Sequence, residues 1–227
     1  MTTQESSTQL ITDPVLLKTR FKARCVPADT ARQNWQIRVH RAISWYKNAC
    51  ACPPELSEAR FLFLWIALNS LYSGWDNLRN IPGQDSQARH VFVERICGTA
   101  GRTVLGPLFQ QHRGLVRKLL ENAYLAEIFW RNPTDPKAKG RGAEDANHLA
   151  AHLKAGEYKM LLHQVLGRLY VLRGQMVHGA STSGSRLNLN TRKYCLEMLA
   201  MLVPVIIDLV IEFHREDPWP DLCYPPQ

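Results

Sequence analysis

An arginine and a histidine stand at the end of an apolar stretch, LYVLRGQMVHGA, at positions 173 and 178. The guanidinium of arginine is always charged and matches the shape of a phosphate, whereas histidine changes its charge near neutral pH. Arg173 could therefore hold a scissile phosphate, and His178 could move protons to or from the attacking or leaving oxygen. Because RNA supplies its own nucleophile, the 2′-hydroxyl, this pair indicates RNA cleavage that needs no metal and no cofactor.

Spacing alone does not identify such a site. Arg141 and His148 are similarly spaced, but they lie in or beside a segment rich in proline and glycine. Arg173 and His178 instead occupy the last two turns of a predicted helix, which Gly179 is placed to end. The alternative for this pair is structural, because basic residues at a helix end can also satisfy its unpaired carbonyl groups.

The composition predicts one soluble domain with affinity for polyanions. The 227 residues are 45% hydrophobic, which is enough for one substantial core. The formal net charge is +8, so RNA or DNA is a plausible partner. The six cysteines show no regular framework, and the polar N-terminus has no signal-peptide pattern. We therefore expect reduced thiols and a cytoplasmic location.

One stretch, from Cys195 to Phe213, is apolar enough to resemble a membrane span. It contains Glu197, Pro204 and Asp208, and carboxylates are costly at membrane depth. We expect a buried helix there and no membrane as a partner.

Hydrophobic periodicity predicts an all-α, multi-helix bundle. Helices are expected from about Asp29, over FLFLWIALNSLY, in two or three pieces between 86 and about 128, from Glu157, and from about Thr191 to His214. The predicted domain spans 29–215, with a mobile loop at 131–147, after an arm of uncertain order at 1–28 and before a C-terminal tail at 216–227. The sequence has no sustained alternation of apolar and polar residues, the pattern that would predict a β-sheet.

A strip of small residues on the predicted helix suggests how the pair could be assembled. Gly167, Val171 and Gly174 fall in register with His178, which would let a second helix approach closely. If that helix belongs to a second copy of the chain, two arginines and two histidines meet at a twofold axis. The sequence thus predicts a homodimer with a composite site.

The early helix FLFLWIALNSLY, followed about a hundred residues later by LRGQMVHG, resembles the HEPN superfamily (higher eukaryotes and prokaryotes nucleotide-binding), in its Apea-like group. That resemblance implies a dimeric helical bundle and a metal-independent endoribonuclease of toxin-antitoxin, anti-phage or other defence systems, with an antitoxin or sensor protein as a partner. The family signature, Arg then His after four to six residues, maps onto Arg173 and His178. Active members often carry a polar residue after the arginine, where this chain has Gly174. The alternative is therefore a non-catalytic HEPN-like module that binds a nucleotide, a nucleic acid or a partner protein.

Further residues are candidates for supporting roles. We predict Asn69 and Gln175 as supporting residues of the site, and Arg186, Arg192 and Lys193 as contacts to the RNA backbone. His148 and His152, four residues apart with Asp145 one turn earlier, could offer two imidazoles and a carboxylate to zinc, but the glutamate of an H-E-x-x-H motif is absent. A solvated helix face is the better interpretation of that pair, and no metal site is predicted.

Overall fold

The computed structural model describes residues 12–25, 32–180 and 188–224. The prediction of an all-α, multi-helix bundle is confirmed, because the described chain is 76% helical and contains one two-residue antiparallel strand pair. The helices are α1 Pro14–Arg24, α2 Gln33–Ala51, α3 Ser57–Tyr72, α4 Asp85–Ile96, α5 Thr99–Gln111, α6 Arg113–Glu121, α7 Glu127–Arg131, α8 Pro136–Ala155, α9 Tyr158–Val177 and α10 Leu189–Phe213. The strands are β1 Trp75–Asp76 and β2 Ile81–Pro82, and a short 3₁₀ helix spans Ala123–Leu125.

Helices α2, α3 and α10 form the centre of the bundle. Helix α3 buries one broad face, which includes Phe61, Trp65 and Leu68, and its apolar Leu62 and Phe63 are partly buried against the core. Every residue from Leu202 to Ile211 of α10 is buried. The indole Nε1 of Trp35 on α2 donates a 3.1 Å hydrogen bond to the carbonyl of Val210, which ties the two helices together.

Helix α10 is long and apolar enough to cross a membrane by length and composition alone. However, 72% of its most apolar window is buried inside the protein. That is the environment of a core helix in a soluble protein, as the embedded Asp208 suggests. Arg20 donates two hydrogen bonds to the Asp208 carboxylate, at 2.8 and 2.9 Å.

The predicted N-terminal arm contains an ordered element, which corrects part of the expectation for 1–28. Residues 14–24 form helix α1, whose start is capped by the Asp13 carboxylate accepting two backbone N–H bonds. Leu17 and Phe21, one turn apart, are buried in the core. The Asp-Pro start and this apolar pair are the sequence signals that identify the helix.

The segment 131–147, expected as a mobile loop, is also corrected. Helix α8 begins at Pro136, and its N-cap Asp135 accepts the N–H of Lys137 at 2.9 Å. A Cβ on Gly142 would lie 2.7 Å from the carbonyl oxygen of Glu121, so α8 contacts the end of α6 directly through this glycine. The glycine that suggested a loop is in fact a close-packing position.

The residues expected as a C-terminal tail, 216–227, are held against the bundle as far as they are described. The buried guanidinium of Arg38 donates to the carbonyls of Pro220 at 2.9 Å and Asp221 at 3.1 Å, and also to that of Ser73. Burial lowers the pKa of Arg38 to about 10. Leu222 is buried as well, so this segment is part of the domain.

Candidate active site

Helix α9 carries the predicted pair and ends as the sequence indicates. Its apolar seam is buried at Leu162, Val165, Leu169 and Leu172, which fixes the rotation of the helix about its axis. The N–H of His178 still donates to the carbonyl of Gly174 at 3.0 Å, and Gly179 then takes a positive φ of 68°. The prediction that Gly179 ends the helix is confirmed. Its positive φ is the left-handed backbone conformation that commonly ends helices and that glycine adopts without strain.

Arg173 is half-buried and His178 is exposed. In the described part of the chain, neither side chain makes a hydrogen bond or an ion pair. The structural alternative requires these side chains to donate to terminal carbonyls of the helix, and no such bond occurs among these residues. Instead, the N–H groups of Gly179 and Ala180 donate to the carbonyls of Met176 and Gln175, at 3.3 and 2.8 Å.

A polar cluster that the sequence reading missed lies beside Arg173. The hydroxyl of Tyr72 donates to Asp85 Oδ1 at 3.0 Å, and Arg89 Nη1 lies 3.6 Å from the other oxygen of this carboxylate. The guanidinium of Arg89 stacks 4.4 Å from the centroid of the Tyr170 ring. Burial, together with the negative charge of Asp85, raises the pKa of Tyr72, whereas the positive charges of Arg89 and Arg173 oppose that rise. Arg173 is thus electrostatically coupled to this cluster.

The sequence offered one signal for this cluster, the spacing of Asp85 and Arg89 one turn apart on a single helix. Their approach to Tyr72 and Tyr170 depends on how α4 packs against α3 and α9. No local pattern encodes that packing.

Neither predicted supporting residue makes a hydrogen bond to Arg173 or His178 within the described residues. Asn69 is half-buried, and its side-chain oxygen Oδ1 is buried without accepting a hydrogen bond within the described residues. Gln175 donates from Nε2 to the carbonyl of Tyr124 at 3.0 Å. This bond fastens the end of α9 to the 3₁₀ helix, so Gln175 has a structural contact close to the candidate site.

Two of the three predicted RNA-backbone residues line one cavity, and the third, Arg186, lies outside the described residues. Arg192 is buried, with Nη2 3.7 Å from Glu58, and it does not present a free guanidinium to solvent. Lys193 is exposed at the start of α10. Both line a cavity of about 390 Å³ between α3, α9 and α10, with Phe61 and Met176 among its apolar walls.

The histidine pair on α8 is not assembled as a three-ligand set. The Asp145 carboxylate, one turn before His148, accepts a 2.7 Å bond from Arg168. His152 pairs with Glu157 at the end of the helix. The interpretation of the α8 face as an ordinary helix surface agrees with these contacts.

A scan of protein-family models, a search of curated proteins and a search of solved structures each found no match to this chain. The assignment of a function therefore depends on the residues and their geometry.

Proposed function

We propose that this chain is a HEPN-like, metal-independent endoribonuclease that acts in the cytoplasm as a homodimer. The observation that carries the proposal is that the side chains of Arg173 and His178 make no hydrogen bond or ion pair within the described residues. Both basic side chains lie at the end of a firmly packed helix, and no group within the described residues occupies them. A structural pair of basic residues would be engaged with carbonyls or carboxylates of its own fold.

In the proposed reaction, the 2′-hydroxyl of RNA attacks the adjacent phosphorus and the bond to the 5′-oxygen breaks. The 2′-oxygen loses its proton, and the departing 5′-oxygen gains one. Arg173 holds the phosphate and offsets the charge that develops on its oxygens, while His178 moves one of the two protons. The products are a 2′,3′-cyclic phosphate and a 5′-hydroxyl.

The surface next to the pair supports assembly by close helix contact. A Cβ added at Gly167 or at Gly174 would meet nothing within 4 Å, so both positions face open space. Val177, one residue before His178, is an exposed apolar side chain. A second α9 lying across this strip would bring two copies of each catalytic side chain to one twofold axis.

The proposal is tested by RNA cleavage with purified variants. His178→Ala and Arg173→Ala should each abolish cleavage and leave the helical circular dichroism spectrum unchanged. His148→Ala and Arg102→Ala, which alter exposed residues elsewhere, are the matched controls and should cleave as the wild type does. Cleavage that survives in both site variants contradicts the assignment.

The dimer is tested separately by Gly174→Leu, which places a bulky side chain on the strip. Sedimentation should show a dimer for the wild type and a monomer for this variant, with loss of cleavage. In a defence role, with an antitoxin or sensor protein as partner, induced expression of the wild type should arrest growth and His178→Ala should relieve the arrest.

A second candidate function is a non-catalytic module that binds a nucleotide, a nucleic acid or a partner protein. The cavity of about 390 Å³ favours it, because exposed Lys193 stands beside apolar walls, a combination that suits a phosphate and a base. Binding of RNA or nucleotide without any cleavage, and its loss in Lys193→Ala, would select this function.

A further inference from the structure

Two histidines and a glutamate from two helices meet on the surface away from the end of α9. His90 and Glu94 stand one turn apart on α4, and His163 faces them from α9. The rings of His90 and His163 stack with centroids 4.5 Å apart, and His163 Nε2 lies 3.4 Å from Glu94 Oε1. One ligand atom from each of the three residues lies within 4.8 Å of the others.

We propose that His90, Glu94 and His163 bind a divalent transition-metal ion of the Zn²⁺ class. Two imidazole nitrogens and one carboxylate oxygen form a ligand set that zinc accepts with a fourth position open. Ligand atoms around tetrahedral zinc are roughly 3.3 Å apart, so closure from the observed spacing needs movements of roughly 1 Å by side chains. His90 and Glu94 are exposed and can make such movements without disturbing the core.

Lys159 forms an ion pair with Glu94 and would compete with a metal ion for this carboxylate. Its ammonium donates to Glu94 Oε2 at 2.8 Å and would repel a cation at the same site. The side chain is half-exposed, so a metal ion can displace it into solvent. Lys159 therefore weakens metal binding, and its removal should strengthen it.

A bound metal would link α4 to α9, the two helices that carry Arg89, Tyr170 and Arg173. Helix α4 carries Arg89, which stacks on Tyr170 of α9. His163 also lines a cavity of about 220 Å³, together with Arg89 and residues of α7, α8 and α9. The site does not contain Arg173 or His178. A bound metal would therefore take no part in the proposed cleavage chemistry, and its binding can be tested apart from cleavage.

The test uses the full chain, stripped with a chelator and titrated with Zn²⁺ alone against a chromophoric competitor. We expect one ion per chain. His90→Gln, Glu94→Gln and His163→Gln should each weaken binding by at least about tenfold, whereas Lys159→Gln should strengthen it. His148→Gln on α8 is the matched control and should bind as the wild type does.

Co²⁺ substitution separates this site from binding by the free cysteines, of which Cys50 is exposed. A histidine–glutamate site gives visible absorption without the intense near-ultraviolet bands of a thiolate ligand. Thiolate bands would overturn the assignment, and so would unchanged affinity in the three ligand variants. Circular dichroism of each variant confirms that a lost site is not a lost fold.

Discussion

Arg168 and Arg173 lie five residues apart on helix α9, and their surroundings predict opposite consequences of removing each. Arg168 is buried and donates a 2.7 Å hydrogen bond to Asp145 on α8. Arg173 is half-buried and has no such partner within the described residues. Substitution of each by methionine removes the charge and keeps most of the apolar stem.

The size of the effect follows from burial. Removing one partner of a buried ion pair costs about 3 to 5 kcal/mol, because the other charge is left without compensation. The Asp145 side chain is 15% exposed, so some water reaches it and we expect about 2 to 4 kcal/mol. With a urea m-value of about 3 kcal/mol/M, the unfolding midpoint of Arg168→Met should fall by about 1 M. Arg173→Met should change the unfolding free energy by about 1 kcal/mol or less.

The two substitutions should affect the rate of RNA cleavage in the opposite order to their effects on stability. Measured well below the unfolding transition, Arg168→Met should still cleave RNA, whereas Arg173→Met should lose at least about a hundredfold in rate. The assays are urea unfolding followed by circular dichroism and cleavage of a labelled RNA. If Arg173→Met is as unstable as Arg168→Met, then Arg173 has a structural role and the proposed site is wrong.

Three further predictions concern the fold that holds the site. Asp208→Asn should lower the free energy of unfolding by about 2 to 3 kcal/mol, because it weakens the ion pair between buried Asp208 and partly exposed Arg20. Glu216→Gln, at the solvent-exposed pair with Arg32, should leave the stability nearly unchanged. Thermal unfolding of the two variants checks both. Burial raises the pKa of Cys97 to about 12, against 9.0 for an ordinary thiol, which reduces its thiolate fraction at neutral pH about a thousandfold. Alkylation followed by mass spectrometry should therefore modify exposed Cys50 and spare Cys97 and Cys195 until the chain unfolds. Gly106→Ala would place its Cβ 2.8 Å from the Tyr158 ring and should lower the free energy of unfolding by about 1 to 3 kcal/mol. The Cβ of Gly114→Ala on α6 would meet no atom within 4 Å, so this variant should be as stable as the wild type or more stable. A urea titration in which both variants behave alike would contradict the packing of α5 on α9.

The sequence determined the helices that have a continuous apolar pattern. Helix α9 follows its seam from Tyr158 and ends before Gly179, and α10 follows the apolar run that contains Asp208. These features are local, because a 3.6-residue period and a terminal glycine express themselves within one helix. The placement of Arg173 and His178 at a helix end was determined in the same way.

Only the tertiary structure shows which glycine and proline residues lie within packed helices and which lie in loops. Gly142 falls in the segment expected as a mobile loop, yet it lets α8 approach α6, and Pro107 lies inside α5. A single sequence cannot distinguish a glycine that permits a turn from one that permits close contact, since both require only the absence of a Cβ.

Contacts between helices distant in sequence were likewise decided by the fold. The way α4 crosses α3 brings Asp85 to the hydroxyl of Tyr72. The way α4 crosses α9 brings His90 and Glu94 to His163. Residue type and spacing located the basic pair on one helix, but the groups that surround it come from other helices. Their positions follow from side-chain packing in three dimensions, which no periodicity along the chain records.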